Sequence, residues 1–123
     1  LYFVITKQKW RQHITQLSFE LGRDLIYEYI NSLPEAEKID GYTVLQHMEK
    51  GEFDKILFKR WEKKVYEVYF QKNNRVFYIT VDKENIYLLH SCRKQKNKTE
   101  KKDANIVRKR AKELGNMLGR KFI

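Results

Sequence analysis

Three short β-rich runs stand almost back to back: Val65–Gln71, Arg75–Val81 and Asn85–His90. Only Lys72-Asn73-Asn74 and Asp82-Lys83-Glu84-Asn85 separate them, and both are turn-forming clusters. Parallel neighbours need a crossover of roughly a dozen residues, so links this short force antiparallel hairpins. This is the strongest constraint on the fold. Phe53 to Phe58 leads into the runs after Gly51.

The residues before Gly51 read differently. Leu25, Ile26, Tyr29, Ile30 and Leu33 share one helical face, and Ile39, Tyr42, Leu45 and Met48 continue it past Pro34. Pro34 suits the first turn of a second helix, with Ser32 or Leu33 as its cap and Glu35 and Glu37 at its positive end. Asp24–Gly51 therefore reads as a helical hairpin. Leu1–Ile5 reads as a short strand. Trp10, Ile14, Leu17, Leu21 and Leu25 fit a helix face, while Leu17, Phe19 and Leu21 also alternate as a strand would. Asp103 is suited to cap a last helix with Ile106, Val107, Ala111, Leu114 and Leu118 facing inward. The order β-α-α-β-β-β-α predicts an α+β fold, an antiparallel sheet with helices packed on one face. The 123 residues are expected to form one domain, 1–123.

The charge is concentrated. From Arg93 to Lys112 there are ten Lys or Arg against two acids, net +8 of the chain's +10. A sheet that ends in such a block is suited to an anionic partner such as nucleic acid or a ribosome, although basic surfaces also serve plain solvation. One cysteine, Cys92, excludes an internal disulfide framework and fits a reducing, cytoplasmic setting. Three scattered His and one Cys suggest no zinc cluster, and no cofactor or metal is expected. No apolar run reaches the roughly 18 residues of a membrane span, so no membrane partner is expected.

The order and the residues together resemble the HigB-type branch of the RelE/ParE toxin superfamily, including its phage-derived members, over about residues 24–114. A helix, the turn Ser32-Leu33-Pro34 and a second helix ending at Gly51 match its first part. Val65-Tyr66-Glu67-Val68-Tyr69 resembles its "lyELR" strand, and Asn74-Arg75-Val76-Phe77-Tyr78 its "yRvlY" strand. Leu88 to Glu100 resembles "llhgFxKKTxKTP". The chain departs from that pattern at Tyr69 (Arg in the family), Cys92 (Phe), Gln95 (Lys), Lys96 (Thr) and Glu100 (Pro).

The resemblance implies a ribosome-dependent mRNA endonuclease toxin, working without a metal and neutralised by an antitoxin, often a helix-turn-helix protein. Such cleavage needs a base for the 2′-OH, charge stabilisation at the phosphate and a proton for the leaving oxygen. Arg75 is the expected phosphate contact, and Lys94, in the loop after the last strand, is a further expected catalytic residue. Lys94, Lys96 and Lys98 alternate, so an extended loop would project them together, with Arg93 and Gln95 opposite. Arg93, Lys96, Lys98, Arg108 and Lys109 are expected RNA contacts. His90 can exchange a proton near neutral pH, or simply end an apolar strand. Tyr69 can stack on a base or donate a hydrogen bond, and equally can pack. Glu67, on Tyr69's side of the strand, is a base candidate that can instead pair with a lysine. The alternative function is a non-catalytic RNA- or ribosome-binding protein, a decayed toxin or phage accessory.

Overall fold

A computed structural model describes residues 3–7, 12–16, 25–82, 85–95 and 98–123. Two strands, β1 (Phe3–Lys7) and β2 (Gln12–Gln16), precede two helices, α1 (Leu25–Asn31) and α2 (Glu35–Glu49). A single 3-10 turn, Phe53–Lys55, leads into β3 (Leu57–Glu62), β4 (Val65–Phe70), β5 (Asn74–Thr80) and β6 (Asn85–Arg93), and α3 (Lys101–Leu118) follows. The strands form one antiparallel sheet in the order β2-β1-β6-β5-β4-β3.

The α+β class and the three helices agree with the sequence reading. Two strands are additional. Gln12–Gln16 is a strand, where a helical face was one of two readings; Trp10, Leu17, Leu21 and Gly22 lie outside the described residues. β3 extends the run after Phe53 into Lys59, Arg60 and Trp61, whose polarity suits an edge strand rather than a core one.

The helices also divide over both faces rather than sharing one. Val76 and Tyr78 of β5 join α1 and α2 residues such as Ile30, Leu45 and Met48 in one core cluster. Phe77 and Ile79, their alternating neighbours, join Val107, Ala111 and Leu114 of α3 in another. Strand side chains point alternately to opposite faces, so β5 is buried on both sides. That explains its nearly unbroken apolar sequence. On the first face Gly41 lets α2 lie close: a Cβ there would sit 3.1 Å from Phe70 Cζ and 3.3 Å from Ile30 Cγ2.

Helix ends differ from expectation by small shifts. Pro34 itself occupies the cap of α2, and Glu100 that of α3. Asp103 sits inside the first turn of α3, buried, because its carboxylate is engaged elsewhere. Gly119, with φ of 66°, closes α3 in the left-handed conformation that glycine adopts without strain.

One irregularity decides what the sheet presents. The β5–β6 register runs Tyr78↔Leu88, then jumps to Phe77↔His90, so Leu89 is an extra residue. A bulge of this kind reverses which side chains face which way beyond it. It turns His90 and Cys92 toward the α3 face. The displaced Leu89 carbonyl accepts a hydrogen bond from Arg110 Nη1 at 2.7 Å.

Candidate active site

Beyond the bulge, two cross-strand rows line the α3 face. One runs Lys59, Glu67, Phe77, His90 across β3, β4, β5 and β6. The next runs Leu57, Tyr69, Arg75, Cys92. Side chains directly opposite on neighbouring strands lie about 5 Å apart at Cβ, so strand pairing alone assembles the cluster. Lys94 follows β6 immediately and its backbone N–H donates to the Asn73 carbonyl at 2.9 Å, which fixes where the lysine starts.

Glu67 is the centre. Its side chain is 1% exposed, and Oε1 meets both Lys94 Nζ at 3.0 Å and Arg75 Nε at 3.1 Å. Its other oxygen, Oε2, is buried and has no hydrogen-bond partner among the described residues. A buried acceptor left empty costs roughly 1–3 kcal/mol, more when charged, so it calls for an explanation. Arg75 also donates from Nη1 to the Asn74 carbonyl at 3.0 Å, and its guanidinium lies over the Tyr69 ring, 4.8 Å from the centroid. Glu67 and buried Lys94 line a cleft of about 250 Å³ together with exposed Lys59, Arg60 and Lys98. Trp61 and Thr99 line it too, joined by a 3.0 Å bond from Nε1 to Oγ1.

His90 sits in the same row as Glu67, on the far side of Phe77. Its ring stacks on Phe77, and Nε2 lies 2.9 Å from Asp103 Oδ1. The carboxylate can only accept, so Nε2 carries the proton. Burial holds the His90 pKa below its usual value, outweighing the opposite pull of Asp103, and Arg110 lowers it further. His90 is therefore a neutral imidazole at neutral pH. The unfolded chain returns this group to about 6.5. Below that pH the unfolded state binds more protons than the folded one, so stability falls as pH drops through and below 6.5. Urea unfolding at about pH 7.5 and about pH 5.5 is expected to show a lower midpoint at the acid value, and a smaller acid loss in His90→Asn.

Cys92 is buried, and burial pushes its thiol up to about 12, with Asp103 and Glu67 adding to the effect. It is no nucleophile. Contrary to the scatter expected from the sequence, His90, Cys92 and Asp103 do converge, with ligand atoms within 4.8 Å of one another. Their donor set suits a borderline-soft divalent ion. Arg75 opposite Cys92, nearby Lys94 and Arg110 place positive charge around them, which opposes a cation.

The expected site residues thus sort by face. Arg75, Lys94, Tyr69 and His90 come together on the α3 face, with Lys98 at the cleft's rim. Lys94 is not part of an exposed lysine row, since its side chain is 4% exposed and points back to Glu67. Lys96 lies outside the described residues. Arg93 is on the opposite face, where Nη2 bonds Glu37 Oε1 at 2.7 Å and Nη1 bonds the Lys72 carbonyl at 2.9 Å. That Glu37 oxygen also accepts from Asn74 Nδ2 at 2.9 Å, and the Asn74 and Arg93 bonds keep the Glu37 pKa below its usual value. Arg108, on α3, is taken up by Glu62 at 2.9 Å and lies over the Trp61 ring, while Lys109 is exposed on the same helix. Lys59, Arg60 and Trp61 were not foreseen as site residues. Their signal is faint: a strand in which two adjacent cations are flanked by aromatics.

A twisted antiparallel sheet with a helical hairpin on one face, one helix on the other and a charged cleft beside that helix defines a small RelE-like α+β domain. Residues 28–112 match the family described as "Phage derived protein Gp49-like". The chain belongs to this Gp49-like family, which is related to RelE-type toxins. No curated protein and no solved structure matches it. Among the described residues no helix is long and apolar enough to cross a membrane.

Proposed function

We propose that the cleft cleaves RNA, and that the protein is a toxin acting as a ribosome-dependent mRNA endonuclease, neutralised by a cognate antitoxin. The observation that carries this reading is the empty Glu67 Oε2, buried at a cation-lined cleft while Oε1 is held by two cations. Such a carboxylate keeps an acceptor oxygen to spare for a donor that arrives with a ligand. A ribose 2′-OH is that donor. Glu67 Oε2 takes its proton, and the 2′ oxygen attacks the adjacent phosphorus. The P–O5′ bond breaks, leaving a 2′,3′-cyclic phosphate and, once protonated, a 5′-OH. Arg75 and Lys94 face the charge that grows on the phosphoryl oxygens, where fixed cations help most. Lys98 at the rim returns a proton to the departing O5′. Tyr69 holds the guanidinium of Arg75 by its ring face. His90, neutral and tied to Asp103, positions the β6 row rather than donating the proton.

Mapping mRNA ends on ribosomes supplied with the purified protein tests this. Cuts are expected with wild-type protein and not with Arg75→Ala, whose RNA affinity should change less than about tenfold because many other phosphate contacts remain. The second reading, a non-catalytic RNA binder, is favoured by one fact: Glu67 already shares the charges of Arg75 and Lys94. Intact mRNA together with steeply salt-dependent binding would decide for it.

A further inference from the structure

A larger concavity lies on the opposite sheet face, past the end of α2. It holds about 710 Å³ and its floor is aromatic. Phe53, Phe58, Tyr66 and Tyr78 form a closed circuit of ring contacts: Phe53–Phe58 at 5.7 Å, Phe58–Tyr66 at 6.4 Å, Tyr66–Tyr78 at 5.9 Å and Tyr78–Phe53 at 5.9 Å. Phe58 is 41% exposed, which is unusual for a large ring already in contact with two others. Arg60, Lys63 and Lys64 line the same groove, with Asp82 as the one acidic lining residue among the described residues.

The groove and the cleft share a border. β3 is one of the sheet's two edge strands, and Arg60 lines both cavities. Along β3 the alternation is functional in form. Lys59 is paired with Glu67 and faces the cleft, while Phe58 and Arg60 are paired with Val68 and Tyr66 and face the groove. A chain leaving the cleft over this edge meets a cation on each side of it.

We propose that this groove is a second subsite for single-stranded RNA, in which unpaired bases flanking the cleavage point stack on Phe58 and Tyr66 while Arg60, Lys63 and Lys64 hold the phosphates. Partly exposed aromatic faces beside a cationic track are the elements that bind single strands without reading sequence. An acidic peptide answers the charge but leaves the ring faces with nothing flat to stack. The subsite rests on the reading of the cleft as an RNA site, and it extends that site around the β3 edge.

Fluorescence polarisation with a single-stranded RNA of about twelve nucleotides tests it, beside an abasic strand of equal length and a poly-glutamate peptide. Phe58→Ala is expected to weaken RNA binding roughly tenfold and leave the abasic strand unaffected. Phe58→Trp, which keeps a ring, should restore RNA binding. RNA binding equal to wild type in Phe58→Ala, equal affinity for RNA and abasic strand, or tighter binding of the peptide than of RNA overturns the proposal. Base-dependent binding that is lost in Phe58→Ala, in a wild-type protein that cuts nothing, defeats the nuclease reading and keeps this subsite.

Discussion

Glu67→Gln is expected to lower RNA cleavage by roughly 10²–10⁴-fold, the range that positioned proton acceptors supply. The substitution keeps the size of the side chain and leaves an oxygen for Arg75 and Lys94. What it removes is the buried oxygen that has no partner among the described residues, together with the charge between the two cations. The loss should fall on kcat, because the carboxylate makes its main contribution as the 2′-OH gives up its proton, and KM should move little. RNA affinity should hold or rise, since one negative charge leaves a cationic cleft. A purely structural role predicts another pattern: activity returning once the assay runs well below the variant's melting temperature, with circular dichroism equal to wild type. Single-turnover cleavage of a defined mRNA, measured across temperature, separates the two. Near wild-type cleavage by folded Glu67→Gln would remove Glu67 as the base.

The fold was legible where hydrophobic period and turn chemistry agreed. Tight links between Val65 and His90 forced hairpins, and they are hairpins. The positions 25–33 and 39–48 read as two helices, and the core bears out their faces through Ile26, Ile30, Leu45 and Met48, whereas Ile39, expected on the second face, is exposed. β3 was harder because an edge strand lacks the apolar alternation of a buried one. The placement of α3 opposite α1 and α2 was illegible for a different reason. β5 is apolar on both faces, and a strand of that kind says that both faces are covered, not by which helix. In the site, Arg75 and Tyr69 share a row, as their neighbouring strands allow. His90 and Cys92 join them only because of one extra residue at Leu89, and no sequence pattern marks a bulge there. Strict alternation would have turned both toward α1. Lys94 misleads most: in a run of lysines it reads as solvated, yet its partner sits on a strand two positions across the sheet.

That partner makes Lys94→Met the most destabilising single change expected among the charged residues of the cleft. The lysine side chain is 4% exposed and Glu67 is 1% exposed, so their contact is scarcely screened by water. Removing one member of a buried pair leaves the other charge short of compensation, a cost of about 3–5 kcal/mol. Arg75 still holds Oε1 in the variant, and methionine refills the volume, so the low end applies, about 3 kcal/mol. At this chain length such a loss lowers the melting temperature by roughly 12 °C. Lys98→Met serves as the contrast: the residue lines the same cleft but is exposed, so a change within about 0.5 kcal/mol is expected. The double variant Lys94→Met with Glu67→Gln should lose less than the sum of the two, because the charge left uncompensated by the first change is removed by the second. Calorimetry on wild type and the four variants, Glu67→Gln alone included, reads all of this. If Lys94→Met melts within about 2 °C of wild type, Glu67 does not depend on it, and the lysine is held there for the phosphate alone.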